Sequence, residues 1–257
     1  MPAGSPRSGT AGLDGSPERP DTTYRSVYDP KRLDPSVNPN GPTPPIGESA
    51  SDAAREILRV AARLFAARGY DATSVREIVE AAGVTKPTLY YHFGNKEGLA
   101  QALLTVPMRR LIDEQRAILD RPGDPVSRLA DQIESHFAFC REEPDRARFV
   151  YGLFFGPNAP GLSSEVALYG GRLAELLTEA IQGLVRAGIV PAERAGRCVA
   201  AVQGLITFYT TDYLYQGANL GPGLGRRLVE DLLLGFASPR GAERETGPER
   251  EAPPGAS

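Results

Sequence analysis

Between residues 52 and 236 the apolar side chains recur at helical spacing, and outside that stretch they recur at no spacing at all. Residues 52–68 place Ile57, Ala61, Leu64 and Phe65 at i, i+4, i+7 and i+8, with Arg55, Arg59 and Arg63 on other faces. Gly69 follows as a helix stop. Ser74-Val75-Arg76-Glu77 has the form of a capping box. It opens a short helix whose inner face is Val75, Ile78, Val79 and Ala82. Gly83 breaks that helix, and Thr85 is a good N-cap for a third, with Leu89 and Phe93 at i, i+4. Asn95 caps a fourth helix through Leu99 and Leu103 toward Leu119, with a kink expected at Pro107, which cannot donate to the Leu103 carbonyl.

The second half continues the period. Asp124-Pro125 starts a helix by N-cap and proline, with Val126, Leu129, Ile133, Phe137 and Cys140 inward. Another covers about 144–155, and the Pro/Gly-rich stretch 156–161 is a loop. Two long helices follow at about 163–187 and 191–216, and a last one at about 223–236. Strand-type alternation is absent. The pattern therefore predicts an all-α fold of about nine helices.

Composition changes the picture at the two ends. Residues 1–50 hold ten Pro and six Gly without an apolar period, so they are expected to form a disordered extension, as is the tail 238–257. The chain of 257 residues carries a net charge of −3, so any basic surface for nucleic acid must be local. Cys140 and Cys198 lie in separate apolar stretches without CxxC spacing, which argues against a disulfide framework or a metal site. No apolar run is long enough to span a bilayer and the N-terminus lacks a signal-peptide core, so a cytoplasmic protein without membrane contact is expected.

Residues 74–93 carry the candidate chemistry. Two short helices joined by a glycine turn fit a helix-turn-helix, whose second helix can enter the major groove. Opposite Leu89 and Phe93 lie Pro87 and Tyr91, flanked by Thr88 and Tyr90, with Lys86 in the first turn. These supply hydroxyls, a methyl and a cation, the groups that touch phosphates and base edges. Lys96, at the next helix start, suits a phosphate contact. Charge does not decide the matter, since residues 51–105 hold seven Lys/Arg against six Asp/Glu. A small helical hairpin with an exposed aromatic pair is the plainer reading of the same residues.

The run 64–78, Leu64-Phe65-Ala66-Ala67-Arg68-Gly69-Tyr70-Asp71-Ala72-Thr73-Ser74-Val75-Arg76-Glu77-Ile78, resembles the start of the DNA-binding domain of the TetR family. Ala81-Ala82-Gly83-Val84-Thr85-Lys86-Pro87-Thr88-Leu89-Tyr90-Tyr91-His92-Phe93 and Asn95-Lys96-Glu97-Gly98-Leu99 continue the likeness over about 50 residues. Pro87 departs from the family, which often has Gly or Ala there, and points to altered base preference. The resemblance implies a phosphate contact from Thr73 or Ser74, groove contacts from Thr85, Lys86, Pro87, Thr88 and Tyr91, and DNA-backbone contacts from Tyr90, His92 and Lys96. His92 packing beside Phe93 and Arg76 as a solvated charge are the bland alternatives.

The resemblance further implies a DNA-binding domain over 51–111 and a helical effector-binding and dimerisation domain over 112–237. In that half Phe137, Tyr151, Phe155, Gln203 and Thr207 are the candidate lining of a small-molecule pocket, set against the reading that such aromatics are core. With no charged cluster among them, a neutral, hydrophobic effector is expected. The inward stripes would be Val166, Tyr169, Leu173, Leu176, Ala180 and Leu184 on one long helix and Cys198, Val202, Leu205, Tyr209 and Tyr213 on the other. The expected function is a homodimeric repressor released from a palindromic double-stranded operator by its ligand, without cofactor, metal or catalysis. Catalysis finds no support in the two distant histidines, His92 and His136, or in Gly221-Pro222-Gly223-Leu224-Gly225, which lacks the lysine of a phosphate loop. The rival reading is a helical dimeric adaptor whose helix-turn-helix no longer binds DNA.

Overall fold

The computed structural model describes residues 51–156 and 161–234. The sequence readings at 1–50, 157–160 and 235–257 lie outside them. Among the described residues there are nine α-helices and no strand. They are α1 (Asp52–Arg68), α2 (Val75–Ala82), α3 (Lys86–Phe93), α4 (Lys96–Asp120), α5 (Pro125–Glu142), α6 (Pro144–Phe155), α7 (Ser163–Arg186), α8 (Ala195–Gln216) and α9 (Leu224–Leu234). No helix among them is long and apolar enough to cross a membrane.

The helix ends form where short polar side chains satisfy the first free amides. The Ser51, Thr85 and Asn95 side chains accept from Ala54, Thr88 and Gly98 amides, and Asp124 accepts from Val126 and Ser127. At Ser74 both halves of the capping box are made. Gly83 ends α2 at φ 65°, a left-handed conformation that costs a side-chain-bearing residue energy. Gly98 answers a different demand, because a Cβ there would lie 2.2 Å from the Phe93 carbonyl oxygen where α3 turns into α4. α4 runs for 25 residues with the buried Pro107 inside it, at the position where a kink is expected.

Two apolar cores result. The first joins Ile57, Ala61 and Phe65 of α1 to Ile78, Leu89, Phe93, Leu99 and Leu103, and it also takes in Phe149 and Val150 of α6 and Tyr169 of α7. Phe65 and Phe149 pack with ring centroids 5.2 Å apart. The second core is built on α5, with Leu129, Ile133, Phe137 and Cys140 meeting Ile181, Leu184, Val202, Val229 and others. α9 lies against α5, and Gly225 makes the approach possible: a Cβ would sit 2.7 Å from the Ala130 carbonyl oxygen. Glu134 accepts from the Gly225 amide and pairs with Arg141, which donates to the Leu220 carbonyl.

The expected inward stripe of α8 is rotated. Val202 is buried as expected, but Ile206, Thr210 and Leu214 accompany it, while Cys198, Leu205, Tyr209 and Tyr213 are only half-buried. α8 is apolar around most of its circumference, so periodicity could not single out the face that packing chose. Both cysteines are free, and burial pushes the Cys140 thiol up to about 12.

Candidate nucleic-acid interface and effector cavity

α3 divides into two faces. Leu89 and Phe93 are buried against α1, α2 and α4, and this fixes the rotation of an eight-residue helix that has little stability alone. The opposite face then points outward whatever its composition. Thr85, Lys86, Pro87, Tyr90 and Tyr91 are exposed, Tyr91 to 85%. Thr88 is half-buried, and its hydroxyl bonds that of Thr85 at 2.9 Å. Among the described residues Lys86 pairs with no carboxylate. The patch combines a free cation, an aromatic hydroxyl and a rigid ring, none of which helps the core.

The first turn of α3 offers little to a phosphate. Thr85 occupies the Thr88 amide, Pro87 has none, and the Leu89 amide donates to the Thr85 carbonyl. Only the Lys86 amide is left, so side chains rather than helix-end amides must make the contacts here. At α2 the Ser74 and Glu77 groups bond each other, and Arg68 lies 2.7 Å from Glu77. The Ser74 amide and hydroxyl, helped by Arg68, hold the Glu77 carboxyl below the usual range. The amides of Val75 and Arg76 remain as the open ones at that helix start.

Three expected contacts are placed differently from one another. Thr73 is buried to 1% exposure, and its hydroxyl donates to the Gly69 carbonyl at 2.9 Å, so the expected phosphate contact from Thr73 does not hold. Ser74 is exposed beside it. His92 is half-buried with its Nε2 3.1 Å from the Ser51 hydroxyl and its ring near Phe93, which ties the end of α3 to the start of α1. Lys96 lies over the Tyr70 ring at 4.2 Å and donates to the Asp71 carbonyl at 3.4 Å. Partial burial lowers its pKa. Arg76 is exposed and paired with Glu80 at 2.7 Å.

In the second half, the five expected pocket residues do not share one described cavity, although the Tyr151 and Phe155 rings pack at 5.7 Å. Phe137 is fully buried in the α5 core, and Phe155 is 59% exposed. Tyr151 is buried with its hydroxyl 2.8 Å from His136 Nε2. Gln203 lines a cavity of about 50 Å³ between α4, α5, α7 and α8, and it donates to the Thr207 hydroxyl at 3.4 Å. The same cavity is lined by Gln115, Gln132 and His136, which sequence reasoning missed. Their signal was present: Gln132 and His136 fall at i, i+4 among the inward positions Leu129, Ile133 and Phe137. A wider cleft of about 190 Å³ opens beside Pro107, with Arg110, Glu114, Glu142 and Arg146 on its walls. Among the described residues no cluster of His, Cys, Asp and Glu could hold a metal ion.

Comparison with known proteins bears on this arrangement. Residues 57–103, from mid-α1 into α4, match the model for bacterial regulatory proteins of the tetR family. An uncharacterised helix-turn-helix transcriptional regulator, YdgC of Bacillus subtilis, is 27% identical over 187 residues, which is 71% of this chain and 91% of that protein. The transcriptional repressor KstR2 of Rhodococcus jostii is 38% identical over 148 residues, 57% of this chain and 71% of its own. Other curated relatives align over 40–45% of their own length. The solved TetR-family regulator PfmR of Thermus thermophilus superposes with a TM-score of 0.59 at 23% identity, over 71% of this chain and 99% of that one, and so shares the fold. These relatives are transcriptional regulators and not enzymes, and the chain belongs to the TetR family of DNA-binding transcriptional regulators.

Proposed function

We propose that the protein is a cytoplasmic, sequence-specific repressor that binds a palindromic operator as a homodimer and is released by a small molecule. The observation that carries this reading is the outward face of α3: Lys86, Pro87 and Tyr91 are exposed on a helix that Leu89 and Phe93 lock in place. Lys86, Thr85 and Tyr91 are assigned to base edges and phosphates, with Pro87 against a thymine methyl. Ser74 and the α2 amides take a phosphate, and Tyr90 takes another. His92 acts chiefly by holding α3 to the start of α1 and Lys96 by holding α4 to the α1–α2 connection, and they reach DNA only by giving up their present bonds.

The division into a DNA-binding part over 51–111 and a regulatory part over 112–237 belongs to the same proposal. So does the dimer, for which the outer face of α8 is the best support. Phe208 is 62% exposed and Tyr215 53%, with the small exposed Ala201 and Gly204 near them on the helix. Exposed aromatics beside small residues suit close helix packing across a two-fold axis. The outer residues of α9, Arg226, Arg227, Glu230 and Asp231, are charged, and its apolar face is already spent on α5. Effector binding would act through α4, shared by both parts, and through α6, whose Phe149 packs on Phe65. Repression is chosen because KstR2 is named a repressor, although another relative, FasR of Mycolicibacterium smegmatis, is named an activator.

The test is selection of bound duplexes from a random DNA pool by the purified full chain. Enrichment of a palindrome supports the proposal, and its half-site spacing gives the separation of the two α3 helices. Well-folded protein that enriches nothing favours the adaptor reading instead.

A further inference from the structure

We propose that the cavity between α4, α5, α7 and α8 binds an uncharged group that both donates and accepts hydrogen bonds, of the amide or hydroxy-carbonyl kind, and that Gln132 is the residue that recognises it. This rests on the ligand-responsive reading above and specifies what the ligand must carry.

Gln132 is 4% exposed, and among the described residues neither its amide nitrogen nor its amide oxygen has a partner. Buried donors and acceptors are nearly always paired, because an unpaired one costs about 1–3 kcal/mol. An inward glutamine that meets no protein group therefore awaits a group from elsewhere. The cavity it borders is about 50 Å³, room for a few waters at roughly 10–15 Å³ each, or for a small polar head group in their place.

The rest of the wall restricts the charge of that group. Gln115, His136 and Gln203 supply further neutral polar atoms, Leu173 and Leu177 of α7 supply apolar surface, and among the described residues no Asp, Glu, Lys or Arg lines the cavity. His136 is neutral at pH 7, since burial lowers its pKa to about 4. Its Nε2 faces the Tyr151 hydroxyl, which leaves Nδ1 as the ring's other polar atom. A carboxylate or ammonium here would lose its hydration and meet no counter-charge. A purely apolar group would leave both Gln132 atoms without a partner. A neutral, hydrophobic effector suits this wall where its apolar body carries one neutral polar head.

The experiment uses the full chain with three probes of equal length, hexanamide, hexanoate and hexylammonium, at matched millimolar concentrations. Binding is read by thermal shift and by the side-chain amide signals of glutamine in a 1H–15N spectrum. Hexanamide is expected to bind about tenfold or more tightly than either ion. Gln132→Met, which keeps the length and removes the amide, is expected to melt no lower than the wild type and to lose the hexanamide response. Equal or tighter binding of an ion, no binding of hexanamide, or an unchanged response in Gln132→Met would overturn the proposal. A Gln203→Met variant checks that the loss is not a general effect of cavity substitution, since it should weaken binding without abolishing it. Operator affinity is measured separately: Gln132-dependent hexanamide binding with unchanged DNA affinity supports this inference and overturns release by ligand.

Discussion

The ring pair Phe65–Phe149 is the most direct check on how the DNA-binding helices are braced. Phe65 is 2% exposed and Phe149 3%, with centroids 5.2 Å apart and planes inclined by 31°. Truncating Phe149 to alanine would remove about 3–5 kcal/mol, a large part of the roughly 5–15 kcal/mol that holds a typical domain together. Leucine is the better perturbation, since it keeps an apolar side chain and costs about 1–2 kcal/mol. The ring–ring term beyond simple burial is about 0.5–1.5 kcal/mol. It should emerge as a coupling energy of that size in a cycle of Phe65→Leu, Phe149→Leu and the double variant, because whichever ring is removed first takes the shared term with it. Urea unfolding at one fixed protein concentration is the assay, since a dimer's stability shifts with concentration. Additivity within about 0.3 kcal/mol would refute the reasoning, and with it the part given to α6 in transmitting ligand binding.

Other outcomes follow from single residues. Lys86→Ala should weaken operator binding and flatten the slope of log affinity against log salt by about 0.9, as one lost phosphate contact would; an unchanged slope would place Lys86 away from the backbone. Thr73→Val should lower stability by about 1 kcal/mol, through loss of the bond to the Gly69 carbonyl, and leave the salt slope unchanged. A drop in slope on that substitution would put Thr73 back at the DNA. His136 titrates near 4 when folded and near 6.5 as an ordinary histidine, so between these values the unfolded chain binds the extra proton. Stability from this residue is therefore full above pH 6.5 and declines as pH falls toward 4, by up to about 3 kcal/mol. Urea midpoints at pH 7 and pH 5 should differ less in His136→Phe than in the wild type, and parallel losses would count against the buried neutral ring.

Much of this protein was legible in its sequence. Caps and glycine stops are local chemistry, so Ser74, Thr85, Asn95 and Asp124 marked their helix starts, and Gly83 marked the helix-turn-helix turn. On α3 only two residues are apolar and inward, so Leu89 and Phe93 fixed which face looks out. What the sequence could not decide was every choice that depends on a partner helix. Thr73 and Ser74 are adjacent hydroxyls, yet one turns inward to the Gly69 carbonyl and the other stays in solvent. α8 is apolar on most sides, and its neighbours selected Ile206, Thr210 and Leu214 for the interior. Gln132 and Gln115 read as ordinary polar positions until α7 and α8 close over them. Periodicity records that a helix buries a face; the company that face keeps, and so whether a polar atom there finds a partner, is set by the packing of elements distant in the chain.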